Sequence, residues 1–301
     1  METDDFLKRL VVNEQSVWRD QFYDGNGNSS PDRPVDGFAH GVCNTDNFSL
    51  LSSPSTTDLL ASLSPTTDHI ISFVSTDFVP NTSDDEGRYG IGAQADVGLF
   101  NLEKLLESLQ PALSPSQQQR AAAVLKGYAG LYQMRFHQLF KAKLGLLGEE
   151  EEDGNLIAFL LKMMEDTGSD FTMTFRQLSE ASVQQLHRGG FTQVTWALHD
   201  LSSHQLFSDW SRLYLLRLAR QEGDDDEDRR HRMKSVNPRY VLRNWMAESA
   251  TRKAETNDFS EVVLLHDVLG NPFIAQDAAE ETGYAARPPL WGRRLKVSCS
   301  S

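Results

Sequence analysis

Cysteine, long apolar runs and positive charge are all scarce in this chain of 301 residues, and each shortage removes a class of explanation. Two cysteines, Cys43 and Cys299, make neither a disulfide framework nor a thiolate zinc site. No apolar run approaches the roughly 18 residues needed to cross a bilayer. With 29 basic against 43 acidic residues the net charge is −14, which disfavours a nucleic-acid backbone as the main partner. Phosphate compounds stay open as ligands, because Mg²⁺, backbone N–H groups and a few local cations can hold them. The start, Met1 to Asp5, is acidic and lacks the basic and apolar regions of a secretory or mitochondrial leader. Ser49 has no Gly-x-Ser-x-Gly elbow around it, and Gly90-Ile91-Gly92 lacks the third glycine and the setting of a dinucleotide fingerprint. These absences together describe a soluble intracellular protein with no membrane and no nucleic-acid partner.

What is present is a helical chain. Apolar residues at 39% support a core, and the length suits one large or two ordinary domains. Residues 1–36 read as a divergent segment, with a short amphipathic piece from Phe6 to Trp18 and a turn-rich stretch from Asp24 to Pro31. Residues 52–76 are Ser, Thr, Pro and Leu with scattered Asp, the composition of a surface insertion. From Asn101 onward the period is helical. Leu102, Leu105, Leu106 and Leu109 recur on one face until Pro111. Ser114 and Pro115 predict a helix start, with one helix carrying Leu125, Tyr128, Leu131, Tyr132 and Phe136 towards Phe140. Further helices are expected at Leu156–Met164, over Trp210–Leu218 and around Phe259–Leu269, and Phe171–Arg176 opens a further segment. Phe191–Trp210 is ambiguous. Glu149–Asp153 and Asp224–Asp228 read as solvated acidic linkers, and Arg229-Arg230-His231-Arg232 as a self-neutralising surface cluster. Asn237-Pro238 reads as the cap and first turn of a helix carrying Val241, Leu242 and Trp245. His199 and His204 lack a third ligand and read as surface histidines.

The chemistry concentrates at His40 to Asn47, where Asp46 and Asn47 stand side by side before the apolar Phe48-Ser49-Leu50-Leu51. An Asp there can accept a proton or hold a hydroxyl, and an Asn beside it can give Mg²⁺ a hard oxygen ligand. The same three residues, Thr45-Asp46-Asn47, also suit an ordinary turn, since Asp and Asn bond their own backbone. Cys299, flanked by serines and third from the end, is either a redox or metal-binding thiol or a harmless free one.

Several ordered motifs resemble the selenoprotein O (SelO, formerly YdiU) family. They are His40 to Leu51, Asp77 to Tyr89, Phe100 to Leu105, Val236 to Asn244 and the ending Val297 to Ser301. The resemblance implies a protein-kinase-like fold that binds ATP in an inverted orientation and transfers AMP to hydroxyl side chains of proteins. It implies Mg²⁺ and ATP as cofactors, protein substrates as partners, Asp46 as the catalytic Asp, Asn47 as a metal ligand, and Cys299 at a position held by cysteine or selenocysteine. For a eukaryotic source it implies a mitochondrial location, although the start shows no transit peptide; otherwise the location is cytoplasmic. Oligomeric state is left open.

Departures from the family pattern are equally specific. The family's Asp-Tyr-Gly-Pro-Phe-Gly motif, whose Asp is the second metal ligand, has no match between Leu51 and Asp77. Thr56 stands at its spacing, and Asp58 and Asp68 lack the Tyr-Gly context. The N-terminal lobe, with its glycine-rich loop and ATP-contacting Lys, has no counterpart here. Pro80 replaces a family cysteine that pairs with the C-terminal one. The expectation is therefore a mainly α fold with a small β element near Asp46: a partial kinase-like C-lobe over 37–145, interrupted at 52–76, and a helical region with an extended tail over 146–301. Such a chain is expected to be inactive alone. The rival expectation is a non-catalytic binding or scaffold remnant, with a redox role for Cys299.

Overall fold

A computed structural model describes residue 79, residues 83–292 and residue 295. The chain is mainly helical, and among the described residues there is no strand. The β element expected near Asp46 lies outside the described residues.

Among the described residues twelve α-helices follow a short 3₁₀ turn at Ile91–Ala93. The first pair, α1 (Gln94–Leu109) and α2 (Pro115–Lys126), is separated by a 3₁₀ turn at Gln110–Ala112 that contains Pro111. As predicted, α2 starts behind Ser114 with Pro115 at its first position, and the Gln117 side chain accepts from Ser114 N–H at 2.8 Å. Leu102, Leu106, Ala121 and Tyr128 close a small core between α1, α2 and the start of α3 (Tyr128–Lys143). The single helix expected from Ser114 towards Phe140 is in fact two, because Gly127 ends one and starts the next.

The main core gathers around α4 (Asp153–Thr167), α5 (Phe171–Glu180), α6 (Val183–Arg188), α7 (Trp196–Leu201), α8 (Phe207–Leu218) and α9 (Asp226–Val236). Gly168 at φ +63° ends α4, and the Asp170 carboxylate caps α5 through Met173 N–H at 2.8 Å. α5 is buried on nearly every side, with neighbours α7 and α9. Its Phe171 and Phe175 meet Phe140 of α3 at centroid distances of 6.1 and 5.8 Å, within the range where aromatic edges and faces attract. Fully buried Trp210 and Tyr214 stack on α8 and each finds a carbonyl: Leu156 for the indole N–H at 3.1 Å, Leu144 for the phenol at 2.7 Å.

A second core joins Met173 and Trp196 to α10 (Asn244–Ala254), α11 (Ser260–Gly270) and α12 (Asp277–Thr282). The ambiguous stretch Phe191–Trp210 resolves into a 3₁₀ turn, all of α7 and the start of α8. Asn237-Pro238 does not begin a helix. Asn237 ends α9, residues 238–243 form an irregular stretch, and α10 begins only at Asn244; the Asn237 side chain instead donates to Lys143 O at 2.8 Å. A proline after a helix end is as good a signal as one at a helix start, and only the partner chain segment decides between them.

Candidate functional site

Asp46, Asn47 and Cys299 lie outside the described residues, as do the insertion at 52–76, Cys43 and Pro80. Two described parts of the molecule border on the motifs that carry the resemblance: the turn at 83–90 and the ionic framework of the helical region.

The turn is built around Asp84. Its carboxylate accepts from Arg88 N–H at 3.0 Å and Tyr89 N–H at 2.7 Å, while its carbonyl accepts from Gly87 N–H at 3.2 Å. Gly87 sits at φ +66°, and a Cβ there would lie 3.1 Å from Val79 Cγ2, so glycine answers both the backbone angle and the close approach. The Arg88 guanidinium then lies 5.1 Å from the Phe100 ring and 5.6 Å from the Tyr89 ring. The segment is thus a defined turn that leads towards α1.

The framework beyond it is a set of buried cations, each met by carboxylates or carbonyls. Arg217 of α8 reaches across to Asp153 of α4 with Nε–Oδ1 at 2.6 Å and Nη2–Oδ2 at 3.2 Å, and Lys141 approaches the same carboxylate at 3.5 Å. Lys141 also donates to Gly148 O and pairs with Glu149 at 2.7 Å. Burial by itself would raise the Asp153 pKa. The Arg217 bond and charge, the Glu150 N–H and the Lys141 charge outweigh it and hold the carboxyl below the ordinary range. The acidic run is only partly the solvated linker expected: Glu149, Glu151 and Glu152 are exposed, whereas Asp153 is 4% exposed and opens α4.

The second acidic stretch is corrected in the same way. Asp225 caps α9 through Asp228 N–H, Asp226 pairs with Arg229 at 2.7 Å, and Asp224 grips Arg232 at 2.6 and 2.7 Å. Arg229, expected at the surface, is 1% exposed and donates to Ala181 O at 2.7 Å and Leu178 O at 3.3 Å. The Arg232 bond lowers the Asp224 pKa against the opposing effect of burial. Arg230, its neighbour, does lie at the surface.

A third network joins α5 to the 238–243 stretch and α12. Arg239 holds Glu280 at 2.6 and 2.9 Å and Glu180 at 2.9 Å, Tyr240 donates to Glu280, and Arg176 caps the carbonyls of Asn237 and Phe273. The Arg239 bond lowers the Glu280 pKa; the same bond raises that of Arg239. Arg243 forks onto Asp170 at 2.7 and 2.9 Å. Lys143, 2% exposed, lies 5.6 Å from the ring centroids of both Phe171 and Phe175. Of the histidines, His199 is exposed as expected, but His204 is largely covered and sits 3.4 Å from Asp166.

These groups are occupied in holding helices together. Among the described residues no group of three or more His, Cys, Asp or Glu is placed to hold a metal ion. No described helix is long and apolar enough to cross a membrane. The framework was missed in the sequence because its partners lie 64 residues apart for Arg217 and Asp153 and 73 for Arg243 and Asp170. No local spacing announces such pairs.

A family model described as protein adenylyltransferase SelO matches residues 34–269. Among curated proteins, the chain is 38% identical to a protein nucleotidyltransferase YdiU of Pseudomonas fluorescens strain Pf0-1 over 265 residues, 88% of this chain and 50% of that protein. A YdiU nucleotidyltransferase of Erwinia tasmaniensis is likewise 38% identical over 265 residues, 88% of this chain and 51% of its own length. One of Salmonella arizonae is 37% identical over 286 residues, 95% of this chain and 55% of that protein. The chain thus spans about half the length of the curated relatives it matches.

Proposed function

The chain belongs to the protein adenylyltransferase SelO family, and on that premise we propose that it is the C-terminal half of a protein nucleotidyltransferase that moves AMP from ATP to Ser, Thr or Tyr hydroxyls of other proteins. The observation that carries this reading is the ordered series of motifs from His40 to Asn244, within which Asp46 and Asn47 stand where the family places its catalytic Asp and a Mg²⁺ ligand. In such a transfer the protein hydroxyl oxygen forms a bond to the α-phosphorus, the bond to the β-phosphate-bearing oxygen breaks, and pyrophosphate leaves. Asp46 holds the incoming hydroxyl and takes its proton, the role an acidic group serves in phosphoryl transfer. The kinase-like fold around this pair is part of the proposal, as is a redox role for Cys299.

The 301-residue chain by itself is proposed to be inactive. Residues 52–76 carry no Asp-Tyr-Gly motif, so the second carboxylate needed to hold metal against the phosphates is missing. Loss of one such stabilising group costs orders of magnitude in rate. Incubating the purified chain with Mg²⁺, ATP labelled at the α-phosphate and a protein mixture should give no labelled protein. Robust labelling, lost on Asp46→Ala, would overturn the inactivity while supporting the chemistry. The missing motif equally favours a second reading, a scaffold that has lost catalysis. Mg·ATP that raises the melting temperature marks a retained nucleotide site; no rise at saturating Mg·ATP favours the scaffold.

A further inference from the structure

We infer that the solvent side of α8 is a pairing surface for a second copy of this chain, met as an antiparallel helix about a two-fold axis between residues 214 and 215. α8 turns Phe207, Trp210, Ser211, Tyr214 and Arg217 into the main core and packs against α4 and α6. Its solvent side carries Leu206, Asp209, Leu213, Leu216 and Arg220, all exposed and spaced three, four, three and four residues apart. This is the heptad spacing that lays one seam along a helix and fits it to another helix. The three leucines are 40%, 42% and 50% exposed. Helical turns carry the seam past both ends of α8: Trp210 N–H bonds Leu206 O at 3.0 Å, and Arg220 N–H bonds Arg217 O at 3.3 Å. Exposed leucines scattered singly are ordinary; three in one seam between opposite charges suit a partner.

The two charges name the occupant. Asp209 and Arg220 stand about 16 Å apart along the axis, too far to pair within one chain. Arg220 meets Glu150 at 2.9 Å and Glu152 at 3.4 Å, both through Nη1, so Nη2 and Nε can take another carboxylate. In the antiparallel pair, Asp209 faces Arg220 of the second copy and Leu213 faces its Leu216, and the symmetry repeats both contacts. A parallel pair in register would set Asp209 on Asp209 and Arg220 on Arg220. An antiparallel pair centred on Leu213 would press Arg220 onto Leu206 and leave Asp209 unmatched. Of the three, the first alone joins leucine to leucine and acid to base. One helix pair is a small interface, so dissociation is expected at roughly 10–100 μM.

Sedimentation velocity on the full 301-residue chain, from about 5 to about 300 μM, tests this. Salt at about 0.15 M screens the repulsion between two chains of net charge −14 beyond about 8 Å. The unmodified chain should move from monomer towards dimer across that range. Leu213→Glu should weaken association at least about tenfold by setting a charge in the seam, with the melting temperature unchanged because the side chain is exposed. Val263→Glu, at an equally open position on α11, should leave association as it was. Asp209→Arg and Arg220→Glu should each weaken self-association and, once mixed, form a heterodimer whose facing charges are again opposite. A chain that stays monomeric throughout would overturn the proposal. So would equal losses from Leu213→Glu and Val263→Glu, a dimer that Leu213→Glu leaves intact, or charge variants that fail to associate when mixed.

Discussion

Replacing Asp153 with Asn tests whether the buried cations hold the helical region together. The carboxylate accepts two bonds from Arg217 and sits 3.5 Å from Lys141, and all three side chains are between 5% and 7% exposed. Asn keeps the shape but removes the charge and turns an N–H₂ towards donors. Breaking a buried pair by removing one partner costs about 3–5 kcal/mol. The low end applies, because Arg217 keeps Leu147 O at 2.7 Å and Lys141 keeps Glu149 at 2.7 Å. A loss of about 3 kcal/mol should lower the melting temperature by roughly 6–12 °C. The pH dependence gives a second, independent check. The folded-state pKa of Asp153 is depressed below its model-compound value of 3.8, so its contribution is present above that value and disappears as pH falls through the lower folded-state pKa. Urea titrations of both proteins should show a full gap at pH 7 that closes below about pH 4. A gap under about 0.5 kcal/mol at pH 7, or one unchanged at pH 3, would refute the reasoning.

Two further changes probe close packing and burial. Gly145 lies at φ +68°, and a Cβ there would approach Met233 Cγ to 2.8 Å and Arg229 Cγ to 3.0 Å, so Gly145→Ala should destabilise by about 2 kcal/mol or more; a neutral result in urea titration would contradict the close approach. Arg229→Ala should cost about 3 kcal/mol, because the buried guanidinium serves Ala181 O, Leu178 O and Asp226, whereas Arg230→Ala next to it should stay within about 0.5 kcal/mol. Equal effects in thermal unfolding would contradict the burial difference.

Local signals in this chain were reliable at α1 and α2, though the cap-like Asn237-Pro238 marked a helix end and not a start. Leu102 to Leu109 recur at helical spacing because a face of α1 is buried, and Ser114-Pro115 starts α2 because cap and first turn need only adjacent residues. Gly127 broke the predicted long helix by an equally local preference that the apolar spacing concealed. The acidic runs went the other way. Glu149–Asp153 and Asp224–Asp228 have the composition of solvated linkers and are largely exposed, but the pairing of Asp153 with Arg217 and of Asp224 with Arg232 became visible only in the folded chain.

What the sequence determined by itself was the helical class and the family. Period, caps and an ordered series of motifs over residues 34–269 are properties of the string, and they survive without coordinates. It also placed Asp46 beside Asn47 and left residues 52–76 without the second acidic motif. The tertiary structure decided which charges matter. Arg229 and Arg230 are neighbours of one type, yet one is 1% exposed and bonded to carbonyls at the C-terminal end of α5 while the other is 35% exposed. It likewise decided that Arg287, in a proline-rich tail with no helical period, pairs with Asp200, 87 residues earlier, and lies over the Trp196 ring. The free energy of a charge depends on what surrounds it, and in a helical fold most of what surrounds it comes from elsewhere in the chain.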